Sequence, residues 1–145
     1  MLKRNGERNN LKNLEPLRFA VMEKEGEVKI YHGEGNAEAS SSMMKATAKV
    51  DESKVETVPG IPFAKLLEKV PRVDFLKIDC EGAEFDFMPT ADLSKVRKLA
   101  MEYHDFRSDM DHTHLIKKLE KDGFRVWDES HGGKTKTGMI YAVAQ

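Results

Sequence analysis

Apolar residues along the chain fall into short blocks, and their spacing changes from two to between three and four partway along. Within Leu14 to Met22, Leu17, Phe19 and Val21 alternate with polar neighbours, which predicts a strand. Glu23-Lys24-Glu25-Gly26 reads as a turn. Val28 and Ile30 then alternate within Glu27 to His32, which predicts a second strand. Gly33 to Lys49 is small and polar and reads as a mobile loop, with one helical turn around Met43 and Met44. Lys54 to Val58 reads as a short strand before a Pro59-Gly60 turn. Ile61, Phe63, Leu66, Leu67 and Val70 recur at helical spacing; Pro62 suits the first turn and Pro71 ends the helix.

The next block is different. Val73, Phe75, Leu76 and Ile78 form a short apolar run, the pattern of a strand buried on both faces in a parallel sheet. A helix follows from Gly82 to Met88, broken by Pro89, and Asp92 to Lys95 makes a helical turn. Val96 to Tyr103 reads as a second buried strand, ending at Glu102 and His104. His112 to Lys121 is helical, with Leu115, Ile116 and Leu119 inward, a solvated face of Lys117, Lys118 and Lys121, and Gly123 past its end. Phe124 to Trp127 is a strand, His131 to Thr137 a Gly-Gly-Lys loop, and Gly138 to Val143 the last strand. Met1 to Asn13 is polar and reads as a loop or a frayed helix end. From Gly60 onward helices and strands alternate, which predicts an α/β fold: a mostly parallel sheet closed by a C-terminal antiparallel hairpin.

Composition narrows the setting. The 145 residues suit a single domain. Lys and Arg number 24 against 25 Asp and Glu, a balance that argues against a nucleic-acid partner held by bulk charge. Cys80 is the one cysteine, so no internal disulfide forms, consistent with the reducing cytoplasm where we expect the protein. No apolar run approaches a membrane span and no apolar segment follows the basic start, so no membrane association is expected.

Candidate chemistry gathers after Ile78. Asp79, Glu81 and Glu84 surround Gly82, just past a buried strand, on the edge where open α/β sheets place their ligands. Asp79 and Glu81, two apart on an extended chain, would point to one side. A plainer reading makes Glu81 and Glu84 caps of the next helix. Glu102 and His104 end the neighbouring strand. Cys80 sits between acids and reads as a buried structural thiol, its pKa raised by nearby negative charge. Lys77 is expected to snorkel from the sheet edge. His112 and His114, with Asp109 and Asp111, read as a solvated loop entering a helix, and no metal site is predicted there.

Asp-Phe-Leu-Lys-Ile-Asp-Cys-Glu-Gly-Ala-Glu resembles the signature of the FkbM family of S-adenosylmethionine-dependent methyltransferases, in which a hydrophobic strand runs into Asp-x-Glu-Gly-x-Glu. Here those positions are Asp79, Glu81, Gly82 and Glu84. Glu102-Tyr103-His104 is similar to the family's Glu-x-His strand end, and Leu115 through Gly123-Phe124 to its helix exit. Phe19-Ala20-Val21 with Glu25-Gly26 is similar to its third strand and turn, and Met1 to Asn13 to the helix after its second strand. The resemblance implies a Rossmann-like methyltransferase fold with S-adenosylmethionine as cofactor. It implies O-methylation of a hydroxyl on a sugar or small natural product. It places Asp79 and Glu81 near the reacting centre, with Glu84, Glu102 and His104 in support, and Ala20, Val21 and Asp79 toward the cofactor. A divalent metal is compatible with that chemistry but is not predicted.

The chain departs from the family pattern at its start. The family's first strand, glycine-rich loop and acidic second strand end are not seen, and Gly33-Glu34-Gly35 reads as a plain turn. The expectation is therefore the C-terminal two-thirds of the fold, with two central strands missing and self-association open through an exposed sheet edge. The alternative is a non-catalytic remnant or interaction module. A metal-carboxylate hydrolase built on Asp79 and Glu81 lacks the other clustered ligands.

Overall fold

A computed structural model of the chain describes residues 2–33, 41–42, 50–130 and 136–145. The proposed helical turn at Met43 and Met44, the Gly33-Glu34-Gly35 turn beyond Gly33, and most of the Gly-Gly-Lys loop lie outside the described residues. Two four-stranded sheets organise the rest. Helix α1 (Leu2–Arg8) precedes the first sheet, which holds β1 (Ala20–Met22), β2 (Gly26–Gly33), β3 (Ser41–Ser42) and β4 (Val50–Pro62) in the order β1-β4-β2-β3. The polar start is thus a short helix. The strand expected from Leu14 forms only over its last three residues, and Leu14, Leu17 and Phe19 lie exposed ahead of it.

Strand β4 is longer than its sequence suggests, because Pro59-Gly60 does not turn. Gly60 pairs with Ala20 of β1 on one side and Gly26 of β2 on the other. A Cβ there would collide with Met22 Sδ and press on Val28 Cγ2 at 3.1 Å and Gly26 O at 3.2 Å. Glycine thus lets three strands approach closely, and a residue read as a turn signal is a packing device.

The second sheet carries β5 (Leu76–Ile78), β6 (Lys98–His104), β7 (Phe124–Ser130) and β8 (Thr137–Ala144) in the order β5-β6-β8-β7. The C-terminal hairpin forms as expected, pairing Phe124 with Ala144 through to Ser130 with Gly138. The mostly parallel sheet does not form. Among the described residues β1 with β4 and β5 with β6 run parallel, while β2 with β3, β2 with β4, β6 with β8 and β7 with β8 run antiparallel. The hairpin is the cause in the second sheet: β8 inserts between β6 and β7 and turns both contacts antiparallel. The apolar run at Phe75 is not buried on both faces either. Strand β5 is at the sheet edge, and Phe75 is 60% exposed while Ile78 is 3% exposed.

Helices α2 (Phe63–Glu68), α3 (Glu84–Phe87) and α4 (His112–Lys121), with a 3₁₀ turn at Met88–Thr90, complete one main core. Phe63, Phe85, Met101, Leu115, Leu119 and Ile140 meet in it. Leu119 is fully buried, and its loss to alanine would cost about 2–5 kcal/mol. Polar contacts finish the helix ends. Lys95 Nζ donates to the carbonyls of Leu67 and Val70 at 3.0 and 3.1 Å, closing α2. Asp111 and His114 form a capping box at the start of α4, and Gly123, at φ 86°, follows its end. Lys118 is not on a solvated face: its Nζ donates to the Ala91 carbonyl at 2.9 Å and pairs with Asp122. Among the described residues no helix is long and apolar enough to cross a membrane.

Candidate active site

The acidic segment departs from strand geometry directly after Ile78. Glu81 and Gly82 take left-handed conformations in succession, with φ 52° and 103°. Glycine does so freely, whereas for Glu81 the conformation costs roughly 1–2 kcal/mol. Glu84 holds the turn. Its carboxylate is 0% exposed, with Oε2 accepting from the Gly82 N–H at 2.9 Å and Oε1 accepting from the His104 N–H at 2.8 Å. Those two bonds make a fully buried carboxylate tolerable and tie the turn to the end of β6.

His104 lies between two carboxylates. Its Nδ1 is 3.4 Å from Glu84 Oε1, and its Nε2 is 3.5 Å from Glu81 Oε2. The ring is 6% exposed, and Phe106 tilts against it at 5.6 Å. Nδ1 has no well-formed hydrogen bond: the Glu84 oxygen is at ion-pair distance and already serves the His104 backbone N–H. Electrostatic attraction across that gap still favours the charged ring. The adjoining Glu84 carboxylate raises the His104 pKa above the ordinary value, burial opposes the rise, and the charges of Glu84, Glu81 and Glu102 add to it. Glu102, two residues earlier on β6, faces the same side of the sheet as His104.

Asp79 has a different partner. Its Oδ2 accepts from Lys77 Nζ at 2.8 Å, with both side chains 47% exposed. Lys77 therefore pairs instead of snorkelling. The argument that Asp79 and Glu81 share a side fails at its premise, because the chain is no longer extended at Glu81. The Cys80 thiol is pushed up to about 11, chiefly by burial; the charges of Glu84 and Asp79 contribute less, reversing the emphasis drawn from sequence.

Ala20 and Val21, assigned with Asp79 toward a cofactor, also separate. Ala20 packs with Val28 and Val58 in a small second core. Val21 is half-buried and lines a cavity of about 370 Å³ with Met22, Glu23, Lys24, Val28 and Asp86. Its walls combine apolar side chains with the carboxylates of Glu23 and Asp86 and the ammonium of Lys24. Arg107 donates to Asp86 at 2.6 Å and to Asp109, pinning α3 to the loop after β6. Sequence reasoning missed Asp86 and Arg107, which stand in no motif and meet only through the fold.

The histidines near α4 serve its N-terminus. His112 Nδ1 lies 2.6 Å from Asp105 Oδ2, its ring stacks on Tyr103 at 4.4 Å, and His114 completes the capping box.

Fold and site together define a mixed α/β protein with a buried carboxylate–imidazole cluster where β5 and β6 end. The model of the methyltransferase FkbM domain matches residues 2–126, so the chain belongs to the FkbM methyltransferase family. No curated protein and no solved structure matches the chain.

Proposed function

We propose that the protein transfers a methyl group from S-adenosylmethionine to a hydroxyl of a sugar or small natural product. Family membership supports the reaction class, and the observation that carries the site is Glu81 held against His104 at a strand end. The donor, when bound, supplies an electrophilic methyl carbon. The chain must orient the acceptor hydroxyl and take its proton. Glu81, 39% exposed, is the carboxylate we assign to accept that proton, and His104 Nε2, 3.5 Å away, orients it. Asp79, paired with Lys77, would stand beside the acceptor, and the charge of Glu102 acts on His104. Val21, Met22 and Val28 would hold the apolar part of the donor, and Glu23 and Asp86 its polar ends.

The test is methyl transfer from labelled donor to a panel of sugars and hydroxylated small molecules. Turnover of wild-type protein with a fall of about 10²–10⁴-fold in Glu81→Gln, or roughly 3–5 kcal/mol of barrier, supports the reading. Asp79→Asn is expected to fall less. Near-normal turnover of Glu81→Gln with a lowered melting point overturns it. A second reading, a non-catalytic module of the same fold, is favoured by Glu84: its carboxylate is spent on backbone N–H groups inside the protein. Absence of donor binding in a calorimetric titration, with normal folding, would favour that module.

A further inference from the structure

Glu84, although it belongs to the family-like acidic motif, does not reach solvent and touches no open space: it is 0% exposed. Its contacts run inward to three points, the Gly82 N–H, the His104 N–H and the His104 ring. The imidazole in turn presents Nε2 to Glu81, the exposed member of the cluster. The geometry points to Glu84 as a positioning residue: its carboxylate locks the left-handed turn at Glu81 and Gly82 to the end of β6 and keeps the His104 ring aimed at Glu81. This rests on the methyl-transfer reading for the reaction that Glu81 performs, but the linkage itself is a property of the folded chain.

Three observations support a through-residue role over simple capping. A helix cap needs one carboxylate oxygen on a nearby N–H. Here the second oxygen crosses to a different strand, twenty residues along the chain. The strained left-handed Glu81 persists only where the surrounding structure holds the turn, and the Gly82 N–H bond does so one residue away. His104 Nδ1 is buried without a formed hydrogen bond and lies 3.4 Å from the Glu84 carboxylate. The Glu84 carboxylate thereby favours the protonated ring, whose Nε2 lies 3.5 Å from Glu81 Oε2. The charged groups facing the ring are Glu84 from α3, Glu81 from the turn and Glu102 from β6, with Phe106 the aromatic neighbour.

The experiment is a pH titration of the imidazole resonances in the full, isotopically labelled chain, with His104 assigned by its loss in His104→Asn. Wild-type His104 is expected to titrate above the ordinary ~6.5 of a free imidazole. Glu84→Gln is expected to shift its titration downward, and Glu81→Gln to shift it less, because Glu81 is the more exposed partner. Where turnover is measurable, Glu84→Gln should lower kcat with little change in KM and move the pH profile; Glu84→Asp, which keeps the charge, should recover part of both. A wild-type His104 that titrates at or below the ordinary value overturns the proposal without any variant. So does a Glu84→Gln protein that folds and titrates like wild type. If no acceptor is methylated but the titrations behave as stated, the functional reading fails and the linkage stands.

Discussion

Replacing Gly138 with alanine should destabilise the protein through the strand end that carries His104. Gly138 is opposite Tyr103 in the β6–β8 ladder and opposite Ser130 in the β7–β8 ladder. A Cβ built there would overlap Tyr103 Oη and lie 2.6 Å from Tyr103 Cζ and 2.8 Å from the Glu129 carbonyl oxygen. Neither neighbour yields cheaply. Tyr103 is 2% exposed and stacked on His112, and the Glu129 oxygen belongs to the backbone of a paired strand. Overpacking costs about 1–3 kcal/mol, and a rigid ring plus a backbone atom argues for the upper part of that range, about 2–3 kcal/mol. At roughly 3–4 °C per kcal/mol for a chain near this size, the melting temperature should fall by roughly 6–12 °C. Thermal melting by circular dichroism reads this directly. Gly26→Ala is the control: a Cβ there meets nothing within 4 Å, so the change should stay within about 0.5 kcal/mol. Tyr103→Phe in the Gly138→Ala background removes the nearest clashing atom, and the double-mutant cycle should show at least about 0.5 kcal/mol of coupling. A Gly138→Ala protein that melts within a degree of wild type, with no coupling to Tyr103, would refute the packing argument.

Further outcomes follow from other features. Because the folded-state pKa of His104 is raised, the stability it contributes is fully present below the ordinary ~6.5 and is lost as pH rises through the raised value; denaturant melts at pH 6 and pH 9 should show that loss, and His104→Asn should flatten it. The Cys80 thiol, raised from 9.0 to about 11, should react with a thiol-specific reagent at pH 8 about a hundredfold more slowly in the folded protein than a thiol at its ordinary value, and should speed up on unfolding. We propose that β5, whose side away from β6 pairs with no strand among the described residues, mediates self-association beside exposed Phe75; sedimentation should show concentration-dependent dimers that Phe75→Lys disperses, and a wild-type monomer at high concentration would count against it.

The sequence by itself settled those features that depend on neighbours along the chain. The α4 helix runs from His112 to Lys121 as its spacing of Leu115 and Leu119 requires, with Gly123 just past its end. The C-terminal hairpin follows from two apolar blocks separated by a glycine-rich stretch. The acidic motif from Asp79 to Glu84 was legible because its residues are consecutive, and so was the end of β6 at His104. Tertiary structure decided which of them meet. Strand β8 inserts beside β6, so most pairings are antiparallel, and no local pattern records which strand becomes a neighbour. Phe75 has the apolar character of a buried residue and an exposed position, because among the described residues no strand lies beyond β5 to cover it. The local sequence at Gly60 and Lys118 suggests a turn and a solvated face; their roles come from β1, β2 and Ala91, which lie far along the chain. Glu84 reaches His104 across twenty residues, while Asp79, five residues before Glu84, turns to Lys77. Spacing could place the carboxylates at one sheet edge; only the left-handed turn at Glu81 and the close passage of β6 could sort them into one that is buried, one that faces an imidazole and one that pairs with a lysine.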